Sequence, residues 1–251
     1  MSEKSKNNQN LKRIQKIIAN RGYVSRRAAE QLIIEERVKV NGKTARIGDS
    51  APEDAHIFID GKALKPKPKK YLMMNKPVGY VTSLNDPGEK RTIVQILKKN
   101  RIFERVMPVG RLDYDSEGLL LFTNDGDFAN RIMHPRNEIK KTYEVVIDRP
   151  ITNKDANEII SGIIIEGKKT SPANVQKLNS KGNKISITIH EGRNRIIRRM
   201  LGRLGYKVKN LKRTSIGGLH LGHLKTGKIR HLNDADIKLL FQKNNTRNNI
   251  R

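Results

Sequence analysis

Residues 61–70 read GKALKPKPKK, and two prolines spaced by one lysine allow neither a helix nor a central strand there. A 251-residue chain carrying such a segment after its first quarter must divide. The expected plan is a polar tail over residues 1–10, a small domain over 11–62, a semi-rigid linker over 63–70, a larger domain over 71–241 and an Asn-rich polar tail over 242–251.

The first part reads as two helices and a hairpin. Leu11, Ile14, Ile17 and Ile18 recur at helical spacing. Ser25 precedes Arg26, Arg27, Ala28 and Ala29, where it can accept a backbone hydrogen bond and cap a second helix that turns Ala28, Ala29, Leu32 and Ile33 inward. Val38 and Val40 alternate before Asn41-Gly42, the pair that favours a tight hairpin turn, and Ile57-Phe58-Ile59 reads as a closing strand.

Charge narrows the partners. Lysine and arginine number 52 against 25 acidic residues, a net charge of +27, which is the footprint of a protein that meets a polyanion. Between residues 11 and 46 ten basic residues (Lys12, Arg13, Lys16, Arg21, Arg26, Arg27, Arg37, Lys39, Lys43, Arg46) face three acidic ones. Arg26 and Arg27 stand at a helix start, against the helix dipole, a conflict that a phosphate would relieve. No apolar run reaches the length of a membrane span, and residues 1–10 (MSEKSKNNQN) hold no apolar signal region. Cysteine is absent, so disulfides, thiolate metal sites and lipidated cysteines are excluded; a cytoplasmic location without membrane partners is expected. Aromatic residues are only 4% and tryptophan is absent, which argues against single-strand binding on stacked aromatic platforms.

The second part alternates strand and helix signals. Residues 71–74, 143–147 and 185–189 read as strands, and residues 127–133 and 152–161 as helices, which makes an α+β domain on a mixed or antiparallel sheet. Residues 110–126 read GRLDYDSEGLLLFTNDG. Asp113 follows Arg111 by two positions, a polar turn follows, and residues 119–122 are an apolar run suited to a buried strand. A carboxylate is thereby held on a loop beside a rigid strand. Alone, such an Arg-x-Asp is an ordinary surface ion pair; Asp113 with Asp115 or Glu117 also suggests a glycosidase pair, which requires a set spatial separation. Residues 191–204, EGRNRIIRRMLGRL, place Ile196, Ile197, Met200, Leu201 and Leu204 on one helical face, Arg195, Arg199 and Arg203 on the opposite arc, and Arg198 at the border, where it can reach a partly buried carboxylate. Tyr143, taken alone, is a strand aromatic. His134, His190, His220, His223 and His231 read as structural or RNA-contacting, with no metal site. Walker and dinucleotide-binding glycine patterns are absent.

Residues 22–42, GYVSRRAAEQLIIEERVKVNG, resemble the S4 RNA-binding module, although Glu36 stands where relatives carry glycine, so the helix must end another way. GRLD (110–113), KTY (141–143), EGRNRIIRRM (191–200) and residues 211–232 (LKRTSIGGLHLGHLKTGKIRHL) resemble, in the same order, RNA pseudouridine synthases of the RsuA/RluB type. The resemblance covers nearly the whole second part. It implies an S4 domain followed by a synthase domain, with Asp113 as catalytic nucleophile, Tyr143 as the residue that stacks on the target base and a candidate for proton transfer, and Arg198 as the arginine paired with the aspartate. Ile196 stands where the related RluA type has glutamine. RNA contact is expected at Arg26, Arg27, Arg37 and Lys39, and at Arg111, Arg193, Arg195 and Arg199. Residues 121–135, LFTNDGDFANRIMHP, look most like the RluB type, which implies large-subunit (23S) rather than small-subunit (16S) ribosomal RNA, met as an assembly intermediate, by a monomer. The net reaction is neither a redox step nor a phosphate transfer, so no cofactor is expected. A non-enzymatic S4-type ribosome-associated protein fits the charge equally well. Only the ordered aspartate–tyrosine–arginine set separates the two, and it requires Asp113, Tyr143 and Arg198 to converge in one cleft.

Overall fold

The computed structural model describes residues 11–84 and 91–242, so the expected tail over 1–10 and all but the first residue of that over 242–251 lie outside the described residues. The chain sorts into two compact units. One runs to Lys70 and adds Glu104–Val106 and Thr123–Phe128; the other holds Tyr71–Phe103, Met107–Phe122 and the chain from Ala129 onward. The division falls at Lys70, the last residue of the proline-lysine segment, and two short returns of the chain complete the first unit. Asn124 shows why: its side chain accepts from the Lys70 amide at 2.8 Å and donates to the Pro68 carbonyl at 2.8 Å.

In the first unit, helices α1 (Ile14–Asn20) and α2 (Arg26–Ile34) pack Ile14, Ile17, Ile18, Ala29 and Ile33 against Val38, Ile57 and Ile59. Ser25 caps α2, accepting from the Ala28 amide at 3.1 Å. Ala28 itself is exposed, so the inward face is narrower than its sequence suggests. Glu36 resolves the missing glycine by adopting the left-handed conformation itself, with φ 54°, while the Glu36 and Arg37 amides bond back to Ile33 and Leu32 at 3.0 Å each. Val38–Val40 and Lys43–Thr44 form the expected hairpin about Asn41 and Gly42, both at positive φ. Ile57–Ile59 pairs with Val38–Val40, and Lys62–Ala63 adds an edge strand, ending the sheet one residue inside the expected linker. Arg21 is buried and donates to the carbonyls of Glu53, Ala55 and Leu64. It braces this fold and so drops out of the basic face counted from sequence.

The second unit is built on a nine-stranded mixed sheet. Its order is Asn174–Lys177, Lys184–Ile189, Lys141–Ile147, Val208–Ile216, Glu117–Thr123, Tyr71–Lys76 and Ile229–His231, with Leu219–His220 and Met107–Val109 paired at the side. Lys141–Ile147 is antiparallel to both of its neighbours, whereas Val208–Ile216 runs parallel to Glu117–Thr123. Helices α3 (Ile93–Lys99), α5 (Asn153–Ser161), α6 (Ile196–Arg203) and α7 (Asp234–Phe241) belong to this unit, and α4 (Gly126–Met133) has its first three residues in the first unit and the rest in the second; α3 and α7 have no counterpart in the sequence reading. One core joins Val145, Ile147, Ile185 and Ile187 of the sheet to Ile159 of α5 and to Ile196, Ile197, Met200 and Leu201 of α6. Burying each such side chain contributes about 1.5–3 kcal/mol before conformational entropy is counted.

Gly118 permits the parallel pairing. Its φ is 105°, and a side-chain carbon there would lie 2.3 Å from the Arg213 carbonyl oxygen and 2.8 Å from the Arg213 nitrogen. Only glycine lets these two strands approach so closely.

Candidate active site

Asp113 lies in the loop between the Met107–Val109 and Glu117–Thr123 strands. The residue before it, Leu112, is buried and fixed at both backbone groups: the Thr82 hydroxyl donates to its carbonyl at 2.6 Å and accepts from its amide at 3.2 Å. The Ser116 amide bonds to the Asp113 carbonyl at 3.1 Å and closes the turn. Beneath this turn sits Lys76, fully buried at the end of the apolar Tyr71–Lys76 strand. Its ammonium donates to the carbonyls of Ser116, Asp113 and Pro77 at 2.8, 3.0 and 3.1 Å, which engages all three protons. Burial pushes Lys76 down to about 8, against the opposing pull of Asp113 and Asp115.

Helix α6 begins at Ile196, not within the preceding arginine-rich stretch, because Arg195 adopts the left-handed conformation at φ 50°. Arg195 therefore does not share a solvent-facing arc with Arg199 and Arg203. Its side chain instead forms a two-pronged pair with Asp115, at 2.9 Å and 2.8 Å, and stands 3.8 Å from the Asp113 carboxylate. Arg198, in the first turn of α6, donates to the Asp115 carbonyl at 2.8 Å and to that of Val208 at 3.3 Å, and lies 3.3 Å from the Asp115 carboxylate. Arg198 does reach inward from the helix border, but the carboxylate it meets is that of Asp115. The Arg195 bond holds the Asp115 carboxyl below the usual range, and burial lowers Arg198 against the pull of Asp115 and Asp113.

Tyr143 belongs to the same unit by a row across the sheet. Gly118 is opposite Arg213, and Arg213 is opposite Tyr143, so the three occupy one rung over three adjacent strands. The ladder shifts between Thr142 and Tyr143, where Thr214 of the facing strand is the extra residue. Arg213, 3% exposed, donates to the Leu119 carbonyl at 2.7 Å and reaches the Tyr143 hydroxyl at 3.5 Å. Burial, reinforced by the Arg213 charge, pushes Lys141 down to about 8. Arg195 and Arg198 thus meet at Asp115, with Arg195 also beside Asp113, and Tyr143 is linked to this turn through Arg213 and the strand that leaves it. A groove of about 790 Å³ opens elsewhere, lined by Thr142, Ser186 and Thr188, which alternate with Tyr143 and Ile187 along their strands and so face the other side of the sheet.

The remaining expected RNA contacts divide in two. Arg26, Arg27, Lys39 and Arg111 are exposed. Arg37 is engaged by Asp60 and Glu35, Arg193 by Glu191, and Arg199 by Glu166, so their charge is already partly balanced. Sequence reasoning passed over Lys76, Arg213 and the role of Asp115. The available signals were a lysine continuing an apolar strand and the alternation Leu211, Arg213, Ser215 on a strand's inward side. Among the described residues, no group of three histidine or carboxylate side chains stands close enough to hold a metal ion, and no helix is long and apolar enough to cross a membrane.

The protein is thus a small helical module followed by a mixed sheet that carries a loop aspartate, a strand tyrosine and inward arginines; the matches that follow make it an RNA-modifying enzyme with its own RNA-binding domain. Residues 70–202 match the family model of RNA pseudouridylate synthases and residues 12–50 that of the S4 domain. The chain belongs to the RNA pseudouridylate synthase family, in its RsuA/RluB branch. It is 39% identical to the ribosomal large subunit pseudouridine synthase B of Bacillus subtilis (strain 168), over 92% of this chain and 96% of that protein. It is 37% identical to the dual-specificity RNA pseudouridine synthase RluF of Escherichia coli (strain K12), over 92% of this chain and 78% of that one. A crystal structure of a pseudouridylate synthase superposes with a TM-score of 0.67 at 32% identity, covering 91% of this chain and 99% of the other. The protein is an RNA pseudouridine synthase, and the S4 resemblance and the mixed-sheet α+β fold expected from sequence both hold.

Proposed function

We propose that the protein converts a uridine of ribosomal RNA to pseudouridine, that its target lies in large-subunit (23S) RNA, and that Asp113 is the nucleophile or base. The observation that carries this reading is the placement of Asp113: a half-buried carboxylate on a turn pinned by the Lys76 ammonium, 3.8 Å from one guanidinium and two residues from the carboxylate that holds another. In the reaction the N1–C1′ bond breaks, the uracil turns, and a C5–C1′ bond forms while the proton on C5 leaves and N1 gains one. Atoms and electrons balance without any co-reactant. Asp113 serves the bond changes at the sugar or the base. Tyr143 offers its ring as a platform for a base taken out of its stack, and its hydroxyl for proton transfer. Arg198 supplies positive charge and steadies the turn through the Asp115 carbonyl. The name of the Bacillus subtilis relative, and residues 121–135, favour the large subunit.

Mapping pseudouridine across ribosomal RNA from cells with and without the protein tests the reading. One or a few positions in 23S RNA are expected to revert to uridine. Reversion in 16S RNA alone would move the target to the small subunit, and an unchanged map would remove ribosomal RNA as the substrate.

A further inference from the structure

We propose that Tyr114 contacts the substrate RNA directly: its ring is the platform on which a base next to the target uridine stacks when that uridine is drawn out of its own stack. The inference rests on the reading of Asp113 as the reacting group.

The chain's six tyrosines and five phenylalanines include four exposed rings, those of Tyr23, Phe58, Phe103 and Tyr114. Of these only Tyr114 adjoins Asp113 in the chain. The turn sorts its side chains by depth: Leu112 and Ser116 are buried, Asp113 and Asp115 are half-buried, and Tyr114 is 52% exposed. The backbone that carries the ring is fixed. The Gly79 amide donates to the Tyr114 carbonyl at 2.8 Å, while the Lys76 ammonium holds the carbonyls of Asp113 and Ser116 on either side. The side chain leans toward Gly79, where a side-chain carbon would lie 4.0 Å from the Tyr114 hydroxyl. Val78, the residue before that glycine, is 49% exposed, so the loop adds apolar surface of its own.

A uridine paired or stacked in RNA reaches Asp113 only by leaving its stack, which bares the face of the neighbouring base to water. An aromatic ring one residue from the reacting carboxylate covers that face again. It does so at small ordering cost, because its backbone is already set and a tyrosine has two side-chain torsions to fix. Tyr143 serves the extruded uracil in the proposed reaction, so Tyr114 is the ring left for the base that stays behind. Stacking of this kind involves no charge and tolerates different bases. That separates it from the phosphate contacts of the exposed arginines, whose loss changes the salt dependence of binding.

The test uses the full chain, a ribosomal RNA transcript that the wild-type protein modifies, and copies of that RNA with an abasic nucleotide on the 5′ or the 3′ side of the target uridine. Tyr114→Ala is expected to weaken binding roughly 5- to 100-fold, the range lost when a stacking aromatic is cut to alanine, with the salt slope and the melting temperature unchanged. Tyr114→Phe keeps the ring and should bind like the wild type. One of the two abasic RNAs should bind the wild-type protein about as weakly as intact RNA binds Tyr114→Ala, and should bind that variant no more weakly still. The chain holds no tryptophan, so Tyr114→Trp adds a single reporter whose emission intact RNA should quench and that abasic copy should not. The proposal is overturned by wild-type affinity in Tyr114→Ala, by Tyr114→Phe as weak as Tyr114→Ala, by abasic losses that persist in full in the alanine variant, by a reporter that RNA leaves unquenched, or by affinity and melting temperature falling together. If the wild-type protein forms no pseudouridine in any RNA, the functional reading itself fails, an outcome visible before any variant is made.

Discussion

Lys76 joins the core to the Asp113 turn through a single nitrogen. Its ammonium holds the carbonyls on either side of Tyr114 and Asp115 in place, and burial keeps its pKa at about 8 against an ordinary 10.5. Between those pH values the unfolded chain binds a proton that the folded chain lacks. This residue's contribution to stability therefore rises with pH from about 8 to 10.5, and its burial penalty is felt in full below that window. Turnover should run the other way, because above about pH 8 the amine has one proton fewer for three carbonyls. A basic limb near pH 8 is expected in the turnover profile, and Lys76→Met should abolish that limb and slow turnover about 10- to 100-fold, matching the roughly 1.5–3 kcal/mol of a charged hydrogen bond. Lys141 is also held at about 8, so Lys141→Met, in which the limb should persist, separates the two. For Asp113→Asn, turnover below detection with RNA affinity little changed is expected; measurable turnover in the purified variant would exclude Asp113 as nucleophile. At this scale the sequence revealed the loop aspartate and the inward arginine but misjudged whom Arg198 meets. Helical periodicity fixes which way a side chain leaves the helix, and it says nothing about which of two carboxylates on another loop will be nearer.

Elements were more legible than their ends. The Ser25 cap, the Asn41-Gly42 hairpin and the strands about residues 71–74, 119–122, 143–147 and 185–189 all form, each on a local signal strong enough to survive tertiary context. Helix α6 starts later than its amphipathic pattern suggests, because the wheel cannot register a left-handed residue at Arg195. Helix α7 was missed although its start carries a reciprocal cap, with Asn233 and Asp236 bonding each other's backbone amides. Two substitutions test this scale by urea unfolding. Glu36→Gly relieves a left-handed non-glycine residue at the end of α2, and a gain of up to about 1 kcal/mol is expected. Gly118→Ala drives a methyl group into the Arg213 backbone at a positive φ, and a loss of roughly 3 kcal/mol or more is expected, with the parallel strand pair weakened. Neither glycine preference nor strand pairing could be read in advance at Gly118, since the partner lies nearly a hundred residues away.

For the whole molecule, a net charge of +27 dictates how RNA is captured. The logarithm of affinity should fall linearly with the logarithm of salt, by roughly 0.7–0.9 per neutralised phosphate. Arg26→Gln with Arg27→Gln removes two exposed cations, and the slope should drop by that amount for each phosphate no longer neutralised, with turnover at saturating RNA unchanged. An unaltered slope in the double variant would show that the start of α2 does not touch phosphate. The sequence disclosed the two-part plan through residues 61–70. It could not disclose that Glu104–Val106 and Thr123–Phe128 return to the first unit, because those segments are held by scattered bonds such as Asn124 to Pro68 and carry no pattern of their own.

The rung of Gly118, Arg213 and Tyr143 makes the tyrosine's distance from the strand after the Asp113 turn a lattice property. Two inter-strand steps of about 4.8 Å separate the strand that leaves the Asp113 turn from the strand that bears the tyrosine, so the gap is roughly 10 Å and comes only in whole strands. No side-chain replacement can widen it by a fraction, and a slip of one residue would turn Tyr143 to the opposite face. On the proposed roles of Asp113 and Tyr143, a change of uridine target would have to come through the surfaces that deliver the RNA rather than through this spacing.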